Sequence, residues 1–119
     1  MNYYDHHSLI YFQKAKLLTK EVVVLFNKLP QTRTSEILYK QILRSASSIG
    51  ANIAEGYGRN NKKEYRQYLG IARGSSLETE YWLEIINDCL NIDTQILIEL
   101  NKEIIRLLTT TIKNLNVKP

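Results

Sequence analysis

The run Arg44–Arg59, RSASSIGANIAEGYGR, constrains the fold more than any other part of this chain. At roughly 100° per residue from Ile42, the side chains of Leu38, Ala46, Ile49, Ile53 and Tyr57 share one narrow face, the spacing of an amphipathic helix. Between them stand Gly, Ala and Ser, where an exposed helix would carry Leu, Glu or Lys. A glycine inside a helix costs about 1 kcal/mol relative to alanine. Gly50 incurs that cost here, and Gly70 and Gly74 repeat it further along. Close backbone approach is the expected compensation, so the run reads as the tight seam of a helical bundle.

Four helical segments account for nearly all the remaining sequence. The first spans about 6–28, with Phe12, Ala15, Leu18, Val22, Leu25 and Leu29 three or four residues apart, and Pro30 ends it. The connection 29–34 is short and polar, which makes the first two helices antiparallel neighbours. The second, about 35–57, opens at Thr34 or Ser35 with Glu36 in its first turn and stops at Gly56 and Gly58. Asn61 followed by Glu64 resembles a capping box for a third helix over about 62–90. Asp93 caps the fourth, about 94–115, with Ile92 and Leu97 placed as a hydrophobic staple. Its core face is expected to hold Leu97, Leu100, Ile104, Leu107, Leu108 and Ile112. No strand signal, internal repeat or low-complexity linker interrupts the pattern. The expected fold is all-α, an antiparallel up-and-down four-helix bundle forming a single domain over 1–119.

The apolar stripes are wider than one small bundle requires. Ile96, Ile98 and Ile105 lie outside the expected core face of the fourth helix, and Val22 through Phe26 are five consecutive apolar residues. Self-association into a homo-oligomer would cover this surface, and it is preferred over a thicker monomer core with scattered exposed Ile and Val.

Composition excludes some functional classes. With 44% hydrophobic and 24% charged residues the chain is ordinary globular material. It contains neither an apolar run long enough to span a bilayer nor a basic-then-apolar leader, so a cytoplasmic location without membrane attachment is expected. Cys89 is the single cysteine, sits in an apolar helical segment, and is expected to be a buried inert thiol. The two histidines, His6 and His7, fall at what reads as a frayed, solvated start. Without others there is no Glu-x-x-His pair for a di-metal bundle and no Ser-His-Asp or Cys-His set, and neither a P-loop nor a GxGxxG motif occurs. The expectation is therefore a non-enzyme with no catalytic residue, metal or cofactor; Glu55 with Glu78 as an acid–base pair is no more than conceivable.

Charge is the most informative functional signal. Between Arg33 and Arg73 there are eight Lys and Arg against three Glu, a local excess of +5 in a chain of net charge +4. Lys62, Arg66 and Arg73 share one face of the third helix, and Glu80, Glu84 and Asp88 continue that face. This order opposes the helix dipole, which favours the reverse by about 0.3–1 kcal/mol per terminal charge, so helix stability alone does not select it. Arg59, Lys62, Lys63 and Arg66, with Lys40, Arg44 and Arg73 nearby, form a candidate phosphate-binding patch, against the plainer reading of a solvated charged face. Tyr57, Tyr65 and Tyr68 interleave with these residues as candidates for stacking on unpaired bases, although Tyr57 also fits the core stripe. With no helix-turn-helix, zinc module or RNP motif, backbone and shape contacts would dominate.

Ser48, Glu55 and Arg59 lie on one side of the second helix, with Arg44 and Asn52 at its margins, and Arg73 or Glu78 is placed to join them. A structural network that fixes helix register is the preferred role; the alternative makes Asn52 and Glu55 part of a ligand or catalytic site.

The run SSIGANIAEGYGR followed by EYRQYLGIARGSSLETEYWL resembles the signature of the bacterial 23S rRNA intervening-sequence proteins, the S23 ribosomal protein family, which is related to the basic accessory protein of diversity-generating retroelements. The similarity begins near Phe12-Gln13-Lys14-Ala15 and fades after about Asn91. It departs from the family at Tyr11-Phe12, where a Trp often stands beside the Gln-Lys pair, and the last helix matches only in pattern. The resemblance implies a four-helix bundle assembled as a ring-like homopentamer. Combined with the charge, it leads to the expectation of a non-enzymatic oligomer binding structured RNA or DNA through its basic surface, as an accessory to a nucleic-acid enzyme. The alternative is a protein–protein scaffold whose basic surface receives an acidic partner.

Overall fold

Local signals account for most of the helix limits in the computed structural model, which describes residues 5–115; the expected domain limits at 1 and 119 lie outside the described residues. The four helices are α1 (Ile10–Leu25), α2 (Arg33–Tyr57), α3 (Lys62–Leu90) and α4 (Gln95–Asn114), with 3-10 turns at His6–Ser8 and Phe26–Lys28 flanking α1. Leu9 is extended, so α1 starts later than its apolar spacing implies. Ahead of it the Asp5 carboxylate accepts the His7 N–H at 2.9 Å, and the rings of His6 and His7 stack and meet Phe12 edge-on. The histidines are thus part of a packed turn and not a frayed end. Thr32, rather than Thr34 or Ser35, caps α2 by accepting the Ser35 N–H at 3.1 Å. Asn61 accepts the Glu64 N–H at 2.7 Å and opens α3. At the start of α4 the Asp93 carboxylate accepts the Gln95 N–H at 2.9 Å, while Thr94 turns inward and donates to the Leu83 carbonyl at 2.8 Å.

The helix ends differ from expectation. Asn91 closes α3 in the left-handed region, at φ 55°, a conformation Asn tolerates better than most side chains. Gly58 has φ −75°, so the end of α2 does not require glycine there. Gly56 is not a stop but a buried residue of the last turn, where a methyl group would stand 2.5 Å from the Tyr68 Cβ.

Each helix packs against its sequence neighbours, and α1 packs against α4 to close the bundle. Paired contacts run in opposite directions along every neighbouring pair: Thr19 with Ala46 and Val23 with Tyr39, Ser45 with Thr79 and Ser48 with Ser75, Arg66 with Ile112 and Ser76 with Asn101. The result is an up-and-down bundle 48 Å long. Leu18, Val22, Ile42, Ile49, Ile53, Leu69, Leu83, Ile86, Ile104 and Leu108 form its fully buried centre.

On α4 the buried face is rotated from the one expected. Ile98 and Asn101 are buried, whereas Leu97, Leu100 and Ile112 flank the core half-buried. Asn101 is accommodated because its amide donates to the Ser76 carbonyl at 2.8 Å and accepts from the Ser76 hydroxyl at 2.5 Å. This reciprocal pair removes the penalty of burying an amide among apolar groups. Cys89, expected inside, is exposed. A Cβ added at Gly50 would stand 3.7 Å from Ala15 and from Phe12, ordinary packing distance, but Gly70 and Gly74 have nothing within 4 Å of where a Cβ would stand. The close approach expected at those two glycines is absent among the described residues. Among the described residues no helix is long and apolar enough to cross a membrane.

Candidate nucleic-acid interface

The up-and-down order brings the end of α2, the start of α3, the start of α1 and the end of α4 to one pole of the bundle. Arg59, Lys62, Lys63 and Arg66 gather there, the first just past α2 and the others in the first turns of α3. The Arg66 Nε donates to the Ile112 carbonyl at 3.3 Å, which places Lys113 of α4 beside the same group. Lys113 lies 47 residues from Arg66 in sequence, so only the fold reveals it as a member. Lys62, Lys63, Arg66 and Lys113 are all exposed, and none forms an ion pair among the described residues.

Arg59 is held differently. Its guanidinium donates to Glu55 at 2.9 Å and to the Tyr68 hydroxyl at 2.8 Å, and its Cζ lies 5.2 Å from the Tyr68 ring centroid. The Glu55 hydrogen bond raises its pKa further above the ordinary arginine value, keeping the charge in place. The adjacent tyrosines are engaged internally. Tyr65 shares a hydroxyl hydrogen bond with Tyr11 and meets Tyr57 edge-on, and burial pushes the hydroxyl pKa of both Tyr11 and Tyr65 above the usual range. Tyr68 offers one face to Arg59. All three rings are thus engaged within the chain.

Three candidate residues lie elsewhere. Arg44 pairs with Glu78, which also accepts the Trp82 Nε1–H at 2.9 Å. Fifteen positions separate Arg44 from Arg59, about 22 Å along a helix. Lys40 is further still and pairs with Glu36 at 3.3 Å. Arg73, half-buried, donates to Thr109 at 2.8 Å on the α3–α4 side, two turns above Arg66.

The polar residues expected as one network form separate groups. Asn52 donates to the Ser48 hydroxyl at 2.9 Å and Ser75 donates to the same oxygen at 3.0 Å, in a seam of small side chains between α2 and α3. One turn away Thr79 donates to Ser45 at 2.9 Å, a buried contact not anticipated from sequence. Glu55 belongs to the Arg59 group and Glu78 to the Arg44 group. The structure does not bring the two glutamates together: Glu78 faces Arg44, eleven residues and about 16 Å along α2 from Glu55. Among the described residues no three His, Cys, Asp or Glu side chains converge as a metal-ligand set.

A four-helix up-and-down bundle with a cationic pole places the molecule among small all-α helical-bundle proteins. The chain belongs to the 23S rRNA-intervening sequence protein family, whose profile matches residues 7–113. It is also similar to a protein of unknown function from the S23 ribosomal protein family of Bacteroides thetaiotaomicron VPI-5482. That crystal structure, at 1.70 Å, aligns with a TM-score of 0.81 and 31% identity over 88% of this chain and 100% of the other. No curated protein matches the chain significantly.

Proposed function

We propose that this protein is a non-enzymatic, cytoplasmic homo-oligomer, a pentamer by the family resemblance, that binds the phosphates of structured RNA or DNA as an accessory to a nucleic-acid enzyme. The observation that carries this reading is the convergence of Lys62, Lys63, Arg66 and Lys113, without ion-pair partners among the described residues, beside the anchored Arg59 at one pole. Multiplied by symmetry, such a pole presents a cationic surface on which counterion release drives binding. The membership of a family named for an rRNA insertion agrees with an RNA ligand.

Purified protein titrated into labelled structured RNA and duplex DNA across a salt series tests the proposal, with light scattering giving the mass of the binding species. Expected is affinity falling linearly in log salt, from an assembly several times 13.9 kDa. Absence of binding even at low salt refutes it and favours the scaffold reading. In that second reading the same exposed cations, Lys62, Lys63, Arg66 and Lys113, receive an acidic protein partner.

A further inference from the structure

At the pole opposite the cations, the 3-10 turn after α1 and the first turns of α2 enclose an open groove of about 810 Å³. Its floor is apolar: Phe26, Leu29, Ile37, Tyr39 and Leu43 line it, with Phe26 and Ile37 still 44% and 53% exposed. Arg33, Glu36 and Lys40 stand on its rim, an excess of one positive charge; Lys40 is paired with Glu36, and Arg33 has no ion-pair partner among the described residues. The groove therefore suits an apolar side chain flanked by carboxylates.

The same pole presents such a side chain on another flank. Ile96, in the first turn of α4, is 85% exposed, the most exposed large apolar residue among those described. It stands between Asp93 and Glu99, whose carboxylates form no ion pair among the described residues and bond only to Gln95. Within its own subunit Ile96 borders Val24 and Leu97 on the α1–α4 side, with the end of α1 between it and the groove. It cannot fill its own groove.

We infer that the α1–α2 groove of one subunit receives Ile96 of a second copy, with Asp93 and Glu99 of the incoming copy meeting Arg33 and Lys40. The inference rests on the homo-oligomer proposed above and assigns its contact. Knob and groove are different surfaces of one chain, so the contact is heterologous and propagates from subunit to subunit, closing into a ring when the rotation allows. Complementary charge at the rim fixes the register, and the buried Ile96 supplies the apolar contact. Both surfaces lie at one pole, so every cationic pole of the ring is left uncovered.

The test uses the full chain with two single variants, Ile96→Glu in the knob and Ile37→Glu in the groove, each checked for native helicity by circular dichroism. Light scattering should give a multiple of 13.9 kDa for the unaltered protein and the monomer mass for each variant alone. Mixed one to one, the variants retain one intact knob and one intact groove between them, so the mixture should yield a species of twice the monomer mass. Variants that keep the unaltered protein's mass overturn this contact and leave the oligomer standing. Loss of assembly in both without pairing on mixing also overturns it. A monomeric unaltered protein sinks the oligomer proposal and this contact together.

Discussion

Gly56 of α2 and Tyr68 of α3 touch so closely that a methyl group on the glycine would stand 2.5 Å from the Tyr68 Cβ. Both atoms are fixed to backbone, so neither can turn aside. Gly56→Ala should therefore push α2 and α3 apart at the cationic pole and lower stability by about 1–3 kcal/mol, the usual range for overpacking. Gly58→Ala, two residues on, meets only ordinary contacts at 3.5 and 3.7 Å and should be nearly neutral. Urea denaturation of the two variants side by side checks the contrast.

Gly70 and Gly74 predict the opposite sign. Nothing lies within 4 Å of either missing Cβ, and both are inside α3 with helical backbone. Gly70→Ala and Gly74→Ala should each raise subunit stability by about 0.4–1 kcal/mol, through the smaller conformational freedom of the unfolded chain. Thermal unfolding of the single variants, with mass measured in parallel, tells whether a neighbouring subunit uses that face.

The cations should not contribute equally to nucleic-acid binding. Replacing Lys62, Lys63 or Lys113 by Ala should each flatten the log–log salt dependence by about one unit if the residue contacts a phosphate. Arg44→Ala should leave that slope unchanged, because Arg44 is spent on Glu78 and lies about 22 Å from the pole. Equal losses for Arg44 and Lys62 would show that the binding surface is not the pole.

Alkaline pH probes the tyrosine pair. Tyr11 and Tyr65 carry hydroxyl pKa values raised chiefly by burial above the ordinary value of 10.0. An acid whose pKa is raised by folding contributes its full stability below the unfolded value and loses it as pH climbs towards the folded one. Urea midpoints should hold steady to about pH 10 and then fall, with a shallower fall in Tyr65→Phe. Absorbance at the tyrosinate band would show these two hydroxyls titrating above the ordinary tyrosine value.

The Ser76–Asn101 pair makes a prediction about uniqueness of packing. Asn101→Ala leaves the buried Ser76 hydroxyl without its side-chain partner and should cost about 1–3 kcal/mol beyond the lost side-chain volume. Ser76→Ala combined with Asn101→Leu should recover part of that loss, because both buried polar groups are then removed. A double-mutant cycle in urea measures the coupling.

Signals that act within one turn of helix were readable from the chain itself. Asn61 with Glu64 opened α3, and the stripe Ile42, Ala46, Ile49, Ile53 faces inward because three- and four-residue spacing alone determines it. What depends on a partner helix was not. Asn101 looks like a surface residue until Ser76 is seen opposite, and Ile98 is buried on the same face of α4. Lys113 joined the cationic pole only once α4 was known to end against α3, and Arg44 left it once Glu78 appeared across the seam. Gly56 reads from sequence as a helix stop, whereas its reason is the Tyr68 Cβ, twelve residues away on the next helix.

The order of charges along α3, basic at Lys62, Lys63 and Arg66 and acidic at Glu80, Glu84 and Asp88, makes the bundle an electrical compass needle. A polyanion approaching from solution exerts a torque on it, turning the cationic end forward before any contact is made. Over a bundle 48 Å long the acidic end is then several Debye lengths away in physiological salt, and its repulsion is lost to screening. Shortening that separation, by moving the carboxylates a few turns towards Arg66, would slow the nucleic-acid capture proposed above without altering the cationic pole itself.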